Sequence, residues 1–178
     1  MNITAGKYKG RKVTAPDEKI VRPTLSKVRE SIFNVLYSMV DFEGSLFLDM
    51  FAGSGIMGLE AISRGFEEVW EIEKNLKVSK IVKENYATLG IKPKMVIGDS
   101  IKKIFQIGRK FDVIFIDPPY YSGIYEDSLN AVLESESLNP NGIIVLEHVE
   151  DVEWEEFGLK LIKQKKYSDK FVTFLSQD

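Results

Sequence analysis

The chain has no cysteine and a single histidine, His148, among its 178 residues. The first absence excludes disulfides and thiolate metal sites, and the second excludes a histidine-rich centre, so we expect no metal. The longest apolar runs, such as VIFI and GIIVL, are far too short to cross a bilayer, and the opening MNITAGKYKG has no signal-peptide segment. These absences predict a cytoplasmic protein whose chemistry rests on carboxylates, backbone groups and a bound cofactor.

Basic side chains are concentrated near the start of the chain. The formal net charge is −3, and that acidity alone argues against a polyanionic partner. Residues 1–30, however, hold eight basic side chains and three acidic ones. A basic arm on an acidic body predicts contact with nucleic acid through Lys7, Arg11 and Lys12, while a solvated hairpin without a partner is the alternative.

The apolar pattern predicts a single domain over residues 1–178. After RPT, apolar residues recur at helical spacing, which predicts an amphipathic helix over 23–40. The core over 45–178 then alternates between strands and helices, which indicates a doubly wound, mostly parallel α/β sheet covered on both faces. The predicted strands are LFLD, EVWEIE, KMVIGD, FDVIFID and GIIVLEH, and the predicted helices span about 56–64, 76–89, 101–106 and 126–134.

A hairpin is expected near each end of the chain. NITAGKYKGRKVTA has two short β-like pieces around Gly6 and Gly10, which predicts a small basic hairpin within residues 1–22. Near the other end, the β-like segments GLKLIKQKKY and KFVTFLSQ are separated by Ser168 and Asp169. These two segments predict an antiparallel hairpin that closes the sheet.

A glycine-rich turn follows the first strand of the core. LFLDMFAGSGIMGLEA places Gly53, Gly55 and Gly58 in a G-x-G-x-x-G pattern between a strand and a helix, and Glu73 ends the next strand. Glycines let the backbone approach a ligand, and the acid can bind a pair of ribose hydroxyls, so the pattern predicts a nucleotide-cofactor site. A tight turn with no ligand is the alternative.

The charge of the cofactor is indicated by Asp49, which closes the strand just before the glycines. A carboxylate there would repel a dinucleotide pyrophosphate at the helix N-terminus. It suits a ligand with a cationic end, and S-adenosylmethionine carries both an ammonium and a sulfonium, although Asp49 would also serve as a polar strand terminus. Asp99 is placed to meet an adenine amino group, while Asp99 and Ser100 as caps of the following short helix are the alternative. The candidate cofactor-binding residues are Asp49, Phe51, Ala52, Gly53, Ser54, Gly55, Glu73, Asp99 and Ser100.

FIDPPYYSGIY follows the fourth predicted strand with one acid, two prolines and two tyrosines. Consecutive prolines hold a stiff extended corner, so the Asp117 carboxylate and the Pro118 carbonyl can accept both N–H bonds of an exocyclic amine. The amine lone pair would then face the methyl group, with Tyr120 stacked on the base. A rigid loop with buried tyrosines is the alternative. The candidate catalytic residues are Asp117, Pro118, Pro119 and Tyr120.

The motifs together resemble one family. DPPY is similar to the motif of enzymes that methylate exocyclic nitrogens, and DMFAGSGIMGLEAISRG is similar to their cofactor loop. With the more selective AGKYKGRKV and RPTLSKVRESIFNVL, nearly the whole chain resembles the RsmD-type 16S ribosomal RNA guanine-N2 methyltransferases. The resemblance implies a seven-stranded Rossmann-like methyltransferase fold, S-adenosylmethionine as cofactor, and a guanine 2-amino group in small-subunit ribosomal RNA as acceptor.

The resemblance also implies further residues and a partner. Arg22, Pro23, Thr24, Arg29 and Glu30 match the N-terminal signature, which would lie at the floor of the cofactor site or at the RNA edge. Arg22 and Arg29 therefore join the candidate RNA-binding residues. The implied substrate is RNA already assembled with ribosomal proteins, which agrees with the acidity of the chain because the assembled target supplies part of the recognition. We expect a monomer.

Four other functions are compatible with parts of the pattern. An adenine-N6 DNA methyltransferase shares DPPY but usually has a separate target-recognition region, and a glutamine-N5 protein methyltransferase typically has Asn where this chain has Asp117. An NAD-dependent oxidoreductase is disfavoured by Asp49 and by the lack of an evident acid or base for hydride transfer. A non-catalytic ribosome-assembly factor that only binds RNA is the remaining alternative.

Overall fold

The computed structural model describes residues 1–17, 25–119, 123–149 and 151–177. Within these ranges one sheet contains the strands β1 (Leu46–Asp49), β2 (Glu68–Glu73), β3 (Lys94–Ile97), β4 (Phe111–Ile116), β5 (Leu138–His148), β6 (Leu159–Tyr167) and β7 (Lys170–Gln177). Their order across the sheet is β3-β2-β1-β4-β5-β7-β6. Strands β1 to β5 are parallel, and β7 is antiparallel to both β5 and β6. The predicted fold class, a mostly parallel seven-stranded α/β sheet with a C-terminal antiparallel hairpin, is confirmed.

The helices occur where the apolar period predicts them, with small differences at their ends. Helix α1 ends at Leu36 rather than near Val40, and the Ser38 hydroxyl donates to the Val35 carbonyl (2.7 Å) at that end. The predicted start of α1 at Pro23 and Thr24 lies outside the described residues. The helices are α1 (Ser26–Leu36), α2 (Ile56–Arg64), α3 (Leu76–Ala87), α4 (Ser100–Lys103) and α5 (Ile124–Glu134), with 3₁₀ helices at Ile104–Gln106 and Trp154–Phe157.

The strands bury both of their faces, because side chains alternate along each strand and helices cover each side. Phe47, Val113 and Phe115 belong to a core that includes residues of α1, α2 and α3. Leu48 and Ile114 lie on the opposite face, in a core that includes residues of α5 and the 3₁₀ helix Ile104–Gln106. The basic N-terminal region and the glycine-loop helix α2 therefore share one side of the sheet.

The strand order places a topological switch point between β1 and β4. From β1 the chain continues outward through β2 and β3, then returns to the other side of β1 with β4. Asp49, the last residue of β1, is the register partner of Phe115 in β4. In open α/β sheets ligands bind beyond the carboxyl ends of the strands at such a point. The fold thus predicts a site at the ends of β1 and β4.

The basic hairpin is shorter than the sequence pattern suggests. In the described part of residues 1–22 it contains one antiparallel bridge, Asn2–Lys12, rather than two strands. The Ile3 amide donates to the Arg11 carbonyl (3.0 Å), and the buried side chains of Ile3 and Val13 enter the core beside α1 and α2. The hairpin is therefore packed on the domain. No helix in the described part of the chain combines the length and apolar character needed to cross a bilayer.

Candidate active site

Backbone and side-chain hydrogen bonds join the loops at the carboxyl edge of the sheet. The Met50 amide donates to the Phe115 carbonyl (3.0 Å), which extends the pairing of β1 with β4 beyond the strand end. The Ala52 amide donates to the Ile72 carbonyl (2.9 Å), which ties the same loop to β2. The buried Ser100 hydroxyl donates to the Met50 carbonyl. The β1–α2 loop is thus held by its neighbours on both sides.

The glycine loop turns sharply because two of its residues have left-handed backbone conformations. Gly53 has φ +54° and Gly55 has φ +76°, values that favour glycine. The Gly53 amide donates to Glu73 Oε2 (3.1 Å), and the Ile56 amide donates to the Ser54 hydroxyl (3.3 Å) at the start of α2. Phe51 is half-buried, whereas residues 52–55 are buried. Glu73, predicted to bind a ribose, therefore lies against the predicted cofactor loop.

Two buried carboxylates lie side by side, Asp49 at the end of β1 and Glu71 two positions before the end of β2. Asp49 and Glu71 are register partners, and they are 1% and 0% exposed. Burial raises the pKa of Asp49 to about 7, an effect that the nearby negative charge of Glu73 increases. Burial, with the charge of Asp49, also raises the pKa of Glu71 well above its usual range. This pair would be stabilised by a cationic group, which fits the charged end of S-adenosylmethionine.

Glu71 is positioned by helix α3. The Tyr86 hydroxyl donates to Glu71 Oε1 (2.5 Å), while Glu71 Oε2 is buried without a hydrogen-bond partner among the described residues. Burial, and then the Glu71 carboxylate, raise the pKa of Tyr86 well above its usual range. A Cβ on Gly58 would lie 2.2 Å from Glu71 Oε1 and 2.4 Å from the Tyr86 hydroxyl. The third glycine of the motif is therefore required for α2 to pack against β2 and α3.

The DPPY corner follows β4 directly. β4 ends at Ile116, and Asp117 lies two positions beyond Phe115, the register partner of Asp49. Asp117 is half-buried, Pro118 is buried and Pro119 is exposed. Tyr120 lies outside the described residues, so its predicted stacking role stays a prediction. The strand order brings Asp49 and Asp117 to the ends of neighbouring strands.

Asp99 and Ser100 do not make the capping bonds that were the alternative to a cofactor role. Asp99 occupies the N-cap position of α4, but within the described residues its side chain makes no capping hydrogen bond. It pairs instead with the exposed Lys74 ammonium (3.4 Å). The Ser100 hydroxyl donates its hydrogen bond to the Met50 carbonyl. The Asp99 carboxylate thus lies half-exposed, two positions beyond the end of β3, and its predicted contact with adenine stays a prediction.

The basic hairpin is anchored on the C-terminal half of α2. The Lys7 amide donates to the Ser63 carbonyl (2.7 Å), and the Tyr8 amide donates to the Ser63 hydroxyl (2.9 Å). Lys7, Arg11 and Lys12 have exposed side chains, as a phosphate-binding role requires. Arg22 lies outside the described residues. Three of the five candidate RNA-binding residues are therefore on the surface of the hairpin.

Arg29 was predicted to bind RNA, and its position in the structure contradicts that prediction. Its side chain is only 1% exposed, and its Nε lies 3.5 Å from the buried carboxylate of Glu60. Its Nη2 donates to the Asn2 carbonyl (2.8 Å), and burial lowers its pKa. Arg29 therefore joins α1, α2 and the hairpin inside the protein, where RNA does not reach it. The basic N-terminal signature gave no sign of this burial, because Glu60 is distant from Arg29 in the sequence.

Asn85 was not predicted, yet it connects the N-terminal segment to the glycine loop. Its amide nitrogen donates to the Thr14 carbonyl and to the Ser54 carbonyl, each at 2.9 Å. The Thr14 amide donates to its Oδ1 (2.9 Å). Asn85 is almost fully buried in α3, and only its occurrence on an apolar helix face marks it in the sequence. In residues 1–17, 25–119, 123–149 and 151–177, no cluster of three or more acidic or histidine side chains could hold a metal.

Comparisons with known proteins find relatives that match most of the chain. A family model described as Conserved hypothetical protein 95 matches residues 1–176. The chain is 34% identical over 148 residues to Ribosomal RNA small subunit methyltransferase D of Escherichia coli strain K12, covering 83% of this chain and 74% of that protein. It is 35% identical over 156 residues to the Haemophilus influenzae protein of the same name, covering 85% and 80%. The solved structure of the Escherichia coli protein yhhF superimposes with a TM-score of 0.86 at 28% identity, covering 100% of this chain and 98% of that one.

Proposed function

We propose that this chain, which belongs to the RsmD-type family of small-subunit ribosomal RNA methyltransferases, methylates the 2-amino group of a guanine in 16S ribosomal RNA with S-adenosylmethionine. One observation carries the proposal. Asp49, a buried acid suited to a cationic cofactor, ends β1, and Asp117, an acid suited to an amine acceptor, follows the adjacent strand β4. Both flank the switch point, where ligands of this fold class bind.

The cofactor side of the site consists of the glycine loop and three acids, Asp49, Glu73 and Asp99. S-adenosylmethionine, when bound, supplies an electrophilic methyl carbon on a cationic sulfur. Gly53 and Gly55 allow the backbone to approach the ligand, and Asp49 offers a buried negative charge to its ammonium end. Backbone N–H groups, among them those of Gly53 and Asn75, donate to the Glu73 carboxylate, whose two oxygens together retain a lone pair for a ribose hydroxyl.

The acceptor side orients a weak nucleophile. The lone pair of an exocyclic amine is delocalised into its ring, so the nitrogen must be held in a geometry that directs the lone pair outward. Asp117 and the Pro118 carbonyl accept the two N–H bonds of the amine, and Tyr120 stacks on the base. Orientation of this kind supplies on the order of 7 to 11 kcal/mol, so a strong base is not required. The methyl–sulfur bond would break as the nitrogen–methyl bond forms, a neutral thioether would leave, and the extra proton on the methylated nitrogen would pass to Asp117 and on to solvent. A guanine within folded RNA is extruded to reach the corner.

The substrate is the assembled or partly assembled small subunit. The chain carries a formal net charge of −3, and long-range attraction to naked RNA is therefore weak. The exposed Lys7, Arg11 and Lys12 of the hairpin contact phosphates near the target. Ribosomal proteins bound to the RNA supply the remaining recognition.

The test is to offer the purified protein labelled S-adenosylmethionine with three substrates: naked 16S RNA, small subunits from cells lacking this methylation, and duplex DNA. Mass spectrometry of the digested nucleosides identifies the product. We expect N2-methylguanosine in the subunits, with less or none in naked RNA. Methyladenine in DNA would instead support the adenine-N6 enzyme, and no transfer to any substrate, with RNA binding intact, would support a non-catalytic assembly factor. Calorimetry should show binding of S-adenosylmethionine and none of NAD; the reverse would support the oxidoreductase.

A further inference from the structure

Strand β6 carries a second concentration of basic side chains, at the opposite end of the chain from the hairpin. Leu159–Tyr167 contains four lysines and no acidic residue. β6 is the last strand in the order of the described sheet, so one of its sides is an edge. Lys160, Lys163 and Lys166 are exposed and Lys165 is half-buried. The negative net charge of the whole chain gives no indication of this basic strand.

Pairing with β7 assigns the lysines to faces of the sheet. Lys163 and Lys165 pair with β7 residues that belong to the core beneath α1 and α2. Leu159 lies in the opposite core, so its neighbour Lys160 shares the face of Lys163 and Lys165. We call Lys160, Lys163 and Lys165 the β6 lysine row. The row lies on the same side of the sheet as the basic hairpin.

Helix α1 contacts both strand β6, which carries the row, and the hairpin. Lys165 Nζ donates to the Ser31 hydroxyl of α1 (2.9 Å), and the Tyr167 hydroxyl donates to the same oxygen. Two positions earlier on α1, Arg29 donates to the Asn2 carbonyl of the hairpin (2.8 Å). Positions 29 and 31 are half a turn apart, so β6 and the hairpin contact opposite sides of α1, and the helix lies between them.

We propose that the β6 lysine row is a second contact for the RNA backbone, on the same side of the sheet as Lys7, Arg11 and Lys12 of the hairpin and separated from them by α1. The inference rests on the proposed function, because it assigns a further surface to the same RNA substrate. Lysine ammonium groups bind phosphates as point charges, and two separated basic patches hold one RNA in a fixed orientation. The row is thus a positioning surface for the target guanine.

Protection of the sheet edge is a competing explanation for these lysines. Lysines on an edge strand discourage pairing with a second copy of the chain. That role does not require the lysines to share a face, whereas phosphate binding does. Leu161 and Ile162, 44% and 41% exposed, lie between Lys160 and Lys163, so loss of edge protection would be detected as self-association.

The test is the double variant Lys160→Gln/Lys163→Gln, which leaves the Lys165–Ser31 bond in place. The matched control is Lys102→Gln/Lys110→Gln, two exposed lysines in α4 and just before β4. Affinity for small subunits and for a 16S RNA fragment is measured by filter binding over a range of salt concentrations. We expect the row variant to bind RNA about tenfold more weakly at 0.1 M salt. The slope of log K against log salt should also be shallower than that of the wild-type chain, by about 2. The control should match the wild-type chain.

The outcomes are distinguishable. Equal affinity and equal salt slope for the two double variants would overturn the inference, as would unchanged RNA binding accompanied by dimers in light scattering. Unchanged affinity for S-adenosylmethionine in the row variant shows that the fold is intact. If the wild-type protein methylates no guanine, the proposed function itself is contradicted. If the wild-type protein methylates guanine and the row variant binds RNA equally well, only this inference is contradicted.

Discussion

At the scale of single residues, Asp49 is subject to opposing requirements of folding and binding. Its carboxylate is 1% exposed beside Glu71, and burial raises its pKa to about 7. The folded chain therefore holds this proton more tightly than the unfolded chain, whose Asp has a pKa near its ordinary value. The resulting stabilisation is present at acidic pH and is lost as the pH rises toward and through about 7. Binding of a cationic ligand, by contrast, requires the ionised form.

We predict that Asp49→Asn stabilises the protein at pH 8 and weakens cofactor binding. Asparagine carries no charge, so the variant avoids an ionisation cost on the order of a few kcal/mol at high pH. Thermal unfolding at pH 5 and pH 8 should show a smaller fall in Tm for the variant than for wild type, and calorimetry should show loss of affinity for S-adenosylmethionine. The exposed Asp151→Asn serves as a control. Parallel Tm profiles for wild type and Asp49→Asn would contradict the prediction.

Asp117 is predicted to act on the acceptor and not on the cofactor. Asp117→Ala removes one of the two acceptors for the amine N–H bonds, which should lower the rate of methyl transfer at least about 100-fold, by analogy with the loss of one oriented hydrogen bond in other active sites. Affinity for S-adenosylmethionine should change little in calorimetry. The exposed Asp127→Ala, on α5, controls for loss of an acid nearby. An Asp117→Ala variant with near-normal turnover would remove Asp117 from the mechanism.

The sequence identified the acids that terminate strands but not the one inside a strand. Asp49, Glu73 and Asp99 were predicted because each stands where a strand ends before a turn. Glu71 was not, because in EVWEIE acids occupy positions on both faces and the pattern does not show which side is buried. Burial of Glu71 depends on Tyr86 and Gly58, residues on two different helices. A contact of that kind is visible only after the helices are packed on the sheet.

At the scale of elements, the packing of α2 on β2 depends on the absence of a side chain at Gly58. We predict that Gly58→Ala destabilises the fold by about 1 to 3 kcal/mol or more, because the new methyl group would overlap Glu71 Oε1 at 2.2 Å. Chemical denaturation measures the change. Gly10→Ala is the control, since its added Cβ would meet no atom within 4 Å and only the φ of +82° is unfavourable. A Gly58→Ala cost no larger than that of Gly10→Ala would show that α2 can move aside.

The elements near the hairpin show what periodicity can and cannot predict. The apolar spacing of α1 was sufficient to predict a helix, because burial of one face follows from the 3.6-residue period. The same spacing gives no reason for an arginine on the buried face. Arg29 is buried because Glu60 of α2 and the Asn2 carbonyl lie opposite it, and this arrangement requires three segments to meet. Its predicted RNA role was wrong for that reason.

At the scale of the whole molecule, basic surface on an acidic protein should give RNA binding that depends strongly on salt. We predict that the triple variant Lys7→Gln/Arg11→Gln/Lys12→Gln binds RNA more weakly than the wild-type chain. Because each phosphate contact releases counterions, its slope of log K against log salt should be shallower by about 3. Filter binding provides the measurement. A matched variant of the exposed α3 lysines, Lys77→Gln/Lys80→Gln/Lys83→Gln, should retain the wild-type slope. If both variants have the same salt slope, the hairpin does not bind RNA and its basic side chains are simply solvated.

The family and the fold were the properties most readily predicted from the sequence. The alternation of strands and helices fixes a parallel sheet through local periodicity and right-handed connections, and the seven-stranded order agrees with it. The match of the family model over residues 1–176 confirms the resemblance read from the N-terminal signature, the glycine loop and DPPY. The residue roles remain predictions, since they depend on where ligands bind and not on the fold.

Helix α2 has a consequence for how the enzyme would find its target. Its first turn follows the glycine loop, and Ser63, near its last residue, accepts the Lys7 amide of the hairpin. Nine helical residues span about 13 Å, and a helix of this length is nearly incompressible. Under the proposed function, α2 would fix the distance between phosphates bound by the hairpin and the methyl donor. A guanine would then be selected by its distance from the bound backbone as well as by recognition of the base.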